Sequence, residues 1–201
     1  EVKLGDASNC TLVKNENVDV PISGVGVVDY PQNFKRNYGI TIKGGIWNGN
    51  GTKQNRVYNA AVGDQADVIN TPQFPDGDSR PYFGAMMKFA DIDDFIMEDI
   101  ILKDARTYMI AAGGLNHYRF RNILMERSFK MENQDGIHLH GNCYDGDFDT
   151  ITGTAGDDLI AVTTSEASGL SVRVGDVKKL RIWNVYNYGF SVGASISSPA
   201  L

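Results

Sequence analysis

"FIMEDII", residues 95–101, and "YRFRNIL", residues 118–124, read as one phrase written twice. Aligned without gaps, they place an apolar residue third (Met97, Phe120), a polar one fifth (Asp99, Asn122) and isoleucine sixth (Ile100, Ile123). "ITIKGGI" from Ile40, "GDFDTIT" from Gly146 and "LRIWNVY" from Leu180 take the same frame. Their third residues are Ile42, Phe148 and Ile182, and their fifth are Gly44, Thr150 and Asn184. Ile151 and Val185 hold the sixth position, where the first copy has Gly45. Alternate residues of a strand point to one side, so the third position marks an inward face and the fifth a corner.

The third positions lie 55, 23, 28 and 34 residues apart. A repeat of roughly 22 to 30 residues with one strand–turn–strand unit per copy is the pattern of a solenoid. Strands this short cannot bury a face alone and must stack on their neighbours. A corner Asn or Asp is then expected to bond backbone groups and the Asn one coil away. A second strand follows the corners: "AMMKF" from Ala85, "TYMIA" from Thr107, "DGIHLHG" from Asp135, "DDLIAVT" from Asp157 and "YGFSVGA" from Tyr188. The expected fold is all-β: a right-handed parallel β-helix of about five to six coils, a pectate-lyase-like solenoid. It forms a single domain over residues 1–201, with a long loop insertion at 52–83 that contains "TPQFPDGDSRP". An antiparallel sandwich of hairpins is the rival, and "WNGNG" at 47–51 is its one good hairpin signal. Both ends read as cut in mid-repeat, which leaves strand edges to be covered by more chain or by partner subunits.

Composition narrows the function. The chain has 201 residues, 42% of them hydrophobic, and a net charge of -6. An acidic surface without a basic run disfavours nucleic acid as a partner. No apolar run approaches the roughly 20 residues that cross a bilayer, so no membrane partner is expected. Cys10 and Cys143 are too few for a disulfide framework or a zinc site, and are expected to be free or to form one bridge at most.

"MENQDGIHLHGN", residues 131–142, holds two of the three histidines, His138 and His140. Aligning Ile137 with Ile160 offsets the chain by 23 residues, one coil. Ile137 and Leu139 then point inward, and His138 and His140 point outward on one face. In this register Asp135 lies beside Asp158, with Asp157 just before it and Ala161 beside His138. Parallel strands stack at about 4.8 Å, so three carboxylates converge, and they cannot all ionise freely. One protonated and one ionised carboxyl is the pair that glycoside hydrolysis needs.

"NQDGIHL" and "GDDLIAV" resemble the Asn-Thr-Asp-Gly and Asp-Asp segments of the family 28 glycoside hydrolases, the polygalacturonase group, and "GITIKGGIWNGNG" is similar to the entry coil of that superfamily. The likeness runs from about Gly39 to Val192. It implies that Asp135, Asp157 and Asp158 are catalytic, with Asn133 on the motif's Asn, and that a polysaccharide is the substrate. Two of the family's elements are absent. Its Gly-His-Gly would fall near Tyr188 and Gly189, where the sequence reads "NYGFSV", and its Arg-Ile-Lys meets "LRIWN", with Trp183. Recognition of a uronic-acid carboxylate is therefore not implied.

Asn133, His138 and His140 are the expected substrate contacts. No cofactor or metal is expected. The alternating Asp145, Asp147 and Asp149 lack the rest of a calcium loop and read as a solvated strand face. Tyr186, Tyr188, Trp183 and Phe190 are read as packing or subunit-contact residues before sugar platforms. The leading function is a glycosidase, extracellular or on a virion surface, acting by inversion if the carboxylate spacing matches the family's. The alternative is a phage tail appendage or tailspike, a homotrimer that binds a host cell-surface glycan, with or without degrading it. A lyase or a non-catalytic solenoid ranks below both.

Overall fold

The computed structural model describes residues 2–3, 36–50, 85–105, 108–128, 134–164, 173–188 and 194–197. Among them there is no helix, and ten strands form one sheet. In chain order these are β1 (Val2–Lys3), β2 (Asn37–Lys43), β3 (Ile46–Asn48), β4 (Met87–Lys103) and β5 (Ile110–Glu126). They continue with β6 (Ile137–Leu139), β7 (Cys143–Gly153), β8 (Ile160–Thr163), β9 (Val177–Asn187) and β10 (Ala194–Ser197). The insertion at 52–83, Asn133, Phe190 and Cys10 lie outside the described residues.

Every strand pairing is parallel. Most pairs fall into three columns, with a shorter run through Asp93, Asn116, Tyr144 and Lys178 between the first and second. One joins Met87, Ile110, Ile137, Ile160 and Ala194. The second joins Ile42, Met97, Phe120, Phe148 and Ile182, the third positions of the repeat. The third runs through Trp47, Leu102, Met125, Gly153 and Asn187. The antiparallel alternative fails, because the strand pairings among the described residues are all parallel. Ile46–Asn48 pairs in parallel with β1 and β4, and Asn48 Oδ1 accepts the Asn50 N–H at 2.8 Å as a local turn. Of the expected last strand "YGFSVGA", residues 189–193 lie outside the described residues; Ala194 begins a strand to Ser197 and pairs with Ile160.

β4 and β5 each run 17 residues by bending sharply at their corners. The fifth position of the repeat adopts positive φ in all five copies: Gly44 (74°), Asp99 (57°), Asn122 (50°), Thr150 (56°) and Asn184 (52°). Asp and Asn tolerate this region because a short polar side chain can bond locally. Asn122 Nδ2 donates to Asp99 Oδ1 one rung away at 2.9 Å, as the repeat predicts. Asn184 bypasses Thr150 and donates to Asp149 Oδ1 at 3.0 Å, because a threonine offers no amide to stack on.

The core fills the space between the columns. Met97, Phe120 and Phe148 are fully buried, and so are Ile100, Ile123 and Ile151 from the sixth position. Phe120 and Phe148 stack with ring centroids 4.9 Å apart and planes nearly parallel, and Phe95 tilts onto Phe120 at 5.5 Å. Each buried ring contributes about 1.5–3 kcal/mol. Gly146 is a steric requirement: a Cβ there would fall inside 3.0 Å of the Tyr118 ring, which leans into its rung. A buried ion pair ties distant segments together. Arg173 reaches Asp91 through both Nε (2.9 Å) and a terminal guanidinium nitrogen, while Arg36 Nε bonds Asp93 at 2.9 Å.

Candidate active site

The site forms where the chain re-enters the first column. Asp135 precedes β6, and Asp157 and Asp158 precede β8. The parallel pairing extends back to these residues: Gly136 N–H donates to Asp158 O at 2.8 Å and Ile137 N–H to Leu159 O at 3.0 Å. Close approach dictates the glycine after Asp135, since a Cβ at 136 would collide with Leu159 O and Met125 Sδ. The neighbour relation read from the 23-residue offset is therefore present, with His138 opposite Ala161.

Asp135, Asp157 and Asp158 each bring a carboxylate oxygen to within 4.8 Å of the others. The trio is layered. Asp157 is exposed, Asp158 half-exposed, and Asp135 only 4% exposed. Both Asp135 oxygens are engaged: Oδ2 lies 2.6 Å from His138 Nδ1, and Oδ1 accepts the Asp158 N–H at 3.2 Å. The other ring nitrogen of His138, Nε2, lies 3.0 Å from Thr163 Oγ1. Tyr108 packs on the imidazole with centroids 4.6 Å apart, and the His140 ring follows at 4.4 Å.

The expectation of solvent-facing histidines does not hold, because His138 is 4% exposed and His140 1%. Tyr108, with Ala85 and Ala111, forms a small buried cluster of its own, and the Tyr108 ring meets His138. Neither histidine stands where a polymer could touch it, and Asp135 lies behind its two partners. The expected inversion rested on wide spacing. Inverting enzymes hold their carboxyl groups about 6.5–9.5 Å apart, and the nearest oxygens of this trio lie within 4.8 Å of one another. Three carboxylates this close could also share a cation, but an acidic cluster alone does not call for one.

Three residues of the site escaped the sequence reading. Thr163 closes the chain from Asp135 through His138; the register places it beside His140, yet His138 reaches it diagonally. Tyr108 had no signal beyond its place in the repeat. Gln134 is fully buried and hangs the Asp157 turn. Its carbonyl accepts the Gly156 N–H at 2.7 Å and the Asp157 N–H at 3.3 Å, while its amide donates to Ala105 O at 2.7 Å.

A pocket of about 400 Å³ opens nearby, lined by Lys103, Asp104, Met125, Arg127, Thr154 and Tyr188 among others. Thr154 is three residues before Asp157, which limits their Cα separation to roughly 11 Å. The alternating aspartates read as a solvated strand face form ion pairs across rungs: Asp147 faces Arg119 and Arg181, each at 3.8 Å, and Asp145 faces Arg181 at 3.8 Å. Cys143 is a free thiol; burial pushes its pKa up to about 12.

No family model, curated protein or solved structure matches the chain.

Proposed function

We propose that this chain is a carbohydrate-active right-handed parallel β-helix of about five to six coils and hydrolyses a polysaccharide outside the cell or on a virion surface. The fold reading is supported by three parallel columns whose corners recur at one repeat position. The hydrolase reading is carried by one observation, the convergence of three carboxylates from adjoining rungs within 4.8 Å. The resemblance of "NQDGIHL" and "GDDLIAV" to family 28 glycoside hydrolases points the same way. Asp157 and Asp158 reach the surface, so one protonates the leaving oxygen and the other activates water. Asp135 completes the trio from behind. The adjoining pocket, with the exposed ring of Tyr188 on its wall, offers room for a sugar beside the bond to be cleaved. Reducing-end release from a panel of glycans tests the reading. The wild-type chain should release ends from at least one glycan, and Asp157→Asn and Asp158→Asn should each lower release by at least about a hundredfold. Undiminished release by both variants would remove the aspartates from the chemistry.

The second reading, a trimeric tail appendage that grips a host glycan, is favoured by a different feature. Ile46, Ile101, Leu124, Thr152 and Tyr186 share one register line across the third column, and none is buried. A trimer would cover this line. Light scattering on the purified chain decides it: a mass of three chains supports the appendage, and a single-chain mass removes it.

A further inference from the structure

We infer that His138 is a positioning residue: its buried imidazole, held by Thr163, locks the Asp135 carboxylate in the plane that faces Asp157 and Asp158. The inference rests on the hydrolase reading and assigns His138 a part in it that excludes substrate contact. An imidazole with a carboxylate 2.6 Å from Nδ1 and a hydroxyl 3.0 Å from Nε2 has both nitrogens fixed. In the proposed clamp Nδ1 carries the proton and donates to Asp135 Oδ2, which accepts. The Thr163 hydroxyl is then free to donate to Nε2. Two rings crowd the imidazole and hinder its rotation, Tyr108 at 4.6 Å and His140 at 4.4 Å.

The other Asp135 oxygen accepts the Asp158 N–H, so the carboxylate is clamped at both ends. That clamp also fixes the backbone that carries Asp158. Releasing Nδ1 would let the Asp135 carboxylate turn away from its neighbours, and the trio would lose its geometry without losing its sugar pocket. Polar partners behind a functional group typically change activity by about 10- to 100-fold when removed. The effect should therefore appear in kcat and leave KM nearly untouched.

Two substitutions separate the nitrogens. The amide of His138→Asn can stand in for Nδ1 and keep the bond to Asp135, while that of His138→Gln reaches toward Nε2 and loses it. On the glycan that the wild-type chain cleaves, His138→Gln should lower kcat by about 10- to 100-fold at unchanged KM, and His138→Asn should stay within about threefold. Equal losses in both variants, or a rise in KM at constant kcat, would overturn the inference. A spectroscopic arm needs neither turnover nor a folded variant. In the 15N-labelled wild-type chain, His138 Nδ1 should be the protonated nitrogen at neutral pH. An unprotonated Nδ1 overturns the clamp whatever the activity. Failure of the hydrolase reading would show separately, as no glycan cleaved by the wild-type chain while Nδ1 still carries its proton.

Discussion

Replacing Gly146 by alanine probes a tight contact in the core. Gly146 pairs directly with Tyr118 across adjoining rungs. A Cβ built at 146 comes inside 3.0 Å of Cζ, Oη and Cε2 of that ring. The ring cannot swing away cheaply, because it is 2% exposed and packs edge-on against Phe120 and Phe148 at 6.3 and 6.2 Å. Overpacking of this kind costs about 1–3 kcal/mol. At roughly 2–4 °C per kcal/mol for a chain of this size, a cost of about 2 kcal/mol in the middle of that range should lower the Tm of Gly146→Ala by about 4–8 °C. Tyr118→Leu vacates the space. It loses ring contacts but also removes a hydroxyl that is buried without a hydrogen-bond partner among the described residues, a group that costs about 1–3 kcal/mol. In that background the new methyl enters a void, and Gly146→Ala should change stability by less than about 0.5 kcal/mol. Urea unfolding of the four chains in the double-mutant cycle should give a coupling of about 2 kcal/mol. Equal losses in both backgrounds would falsify the steric account of Gly146.

Three further outcomes follow from the corners and the core. In a Cys10→Ser background, Cys143 should resist a thiol reagent at about pH 8 and take up one equivalent on unfolding, since its buried thiol ionises only near pH 12; rapid labelling of the native chain would contradict its burial. Thr150→Asn should raise Tm by about 2–4 °C, because a β-branched residue at φ 56° gives way to one that tolerates it at a gain of about 1 kcal/mol; an unchanged Tm would mean that the Thr150 bond to Asp149 outweighs the backbone strain. The Asn122 amide, followed by Lys43, holds Asp99 below its ordinary value of 3.8, so its contribution is present above that value and is lost as pH falls through the lower folded value. Asn122→Ala should therefore flatten the acid side of the stability curve, and urea midpoints at about pH 6 and about pH 3 that fall by the same amount in both chains would refute the link.

Much of this architecture was legible before any coordinate. Alternation and a recurring offset are properties of the chain itself. The frame that aligns Met97 with Phe120 named the core positions, and the match of Ile137 with Ile160 placed Asp135 beside Asp158. A one-residue slip would turn every such side chain to the wrong face, so a buried face pins the register. The corner at the fifth repeat position was also readable, because positive φ there selects Gly, Asn and Asp in four of five copies, with Thr150 the exception. What lies over an outward face is not written in the strand that bears it. His138 alternates outward as the period requires, yet it is buried under Tyr108 and bonded to Thr163, side chains that meet it only when neighbouring rungs stack. Gly146 likewise reads as a loose spot in a strand until the Tyr118 ring from the rung before occupies its space. Local period is set within a strand by backbone geometry, whereas burial and hydrogen-bond partners are set between rungs, by side chains far apart in the chain.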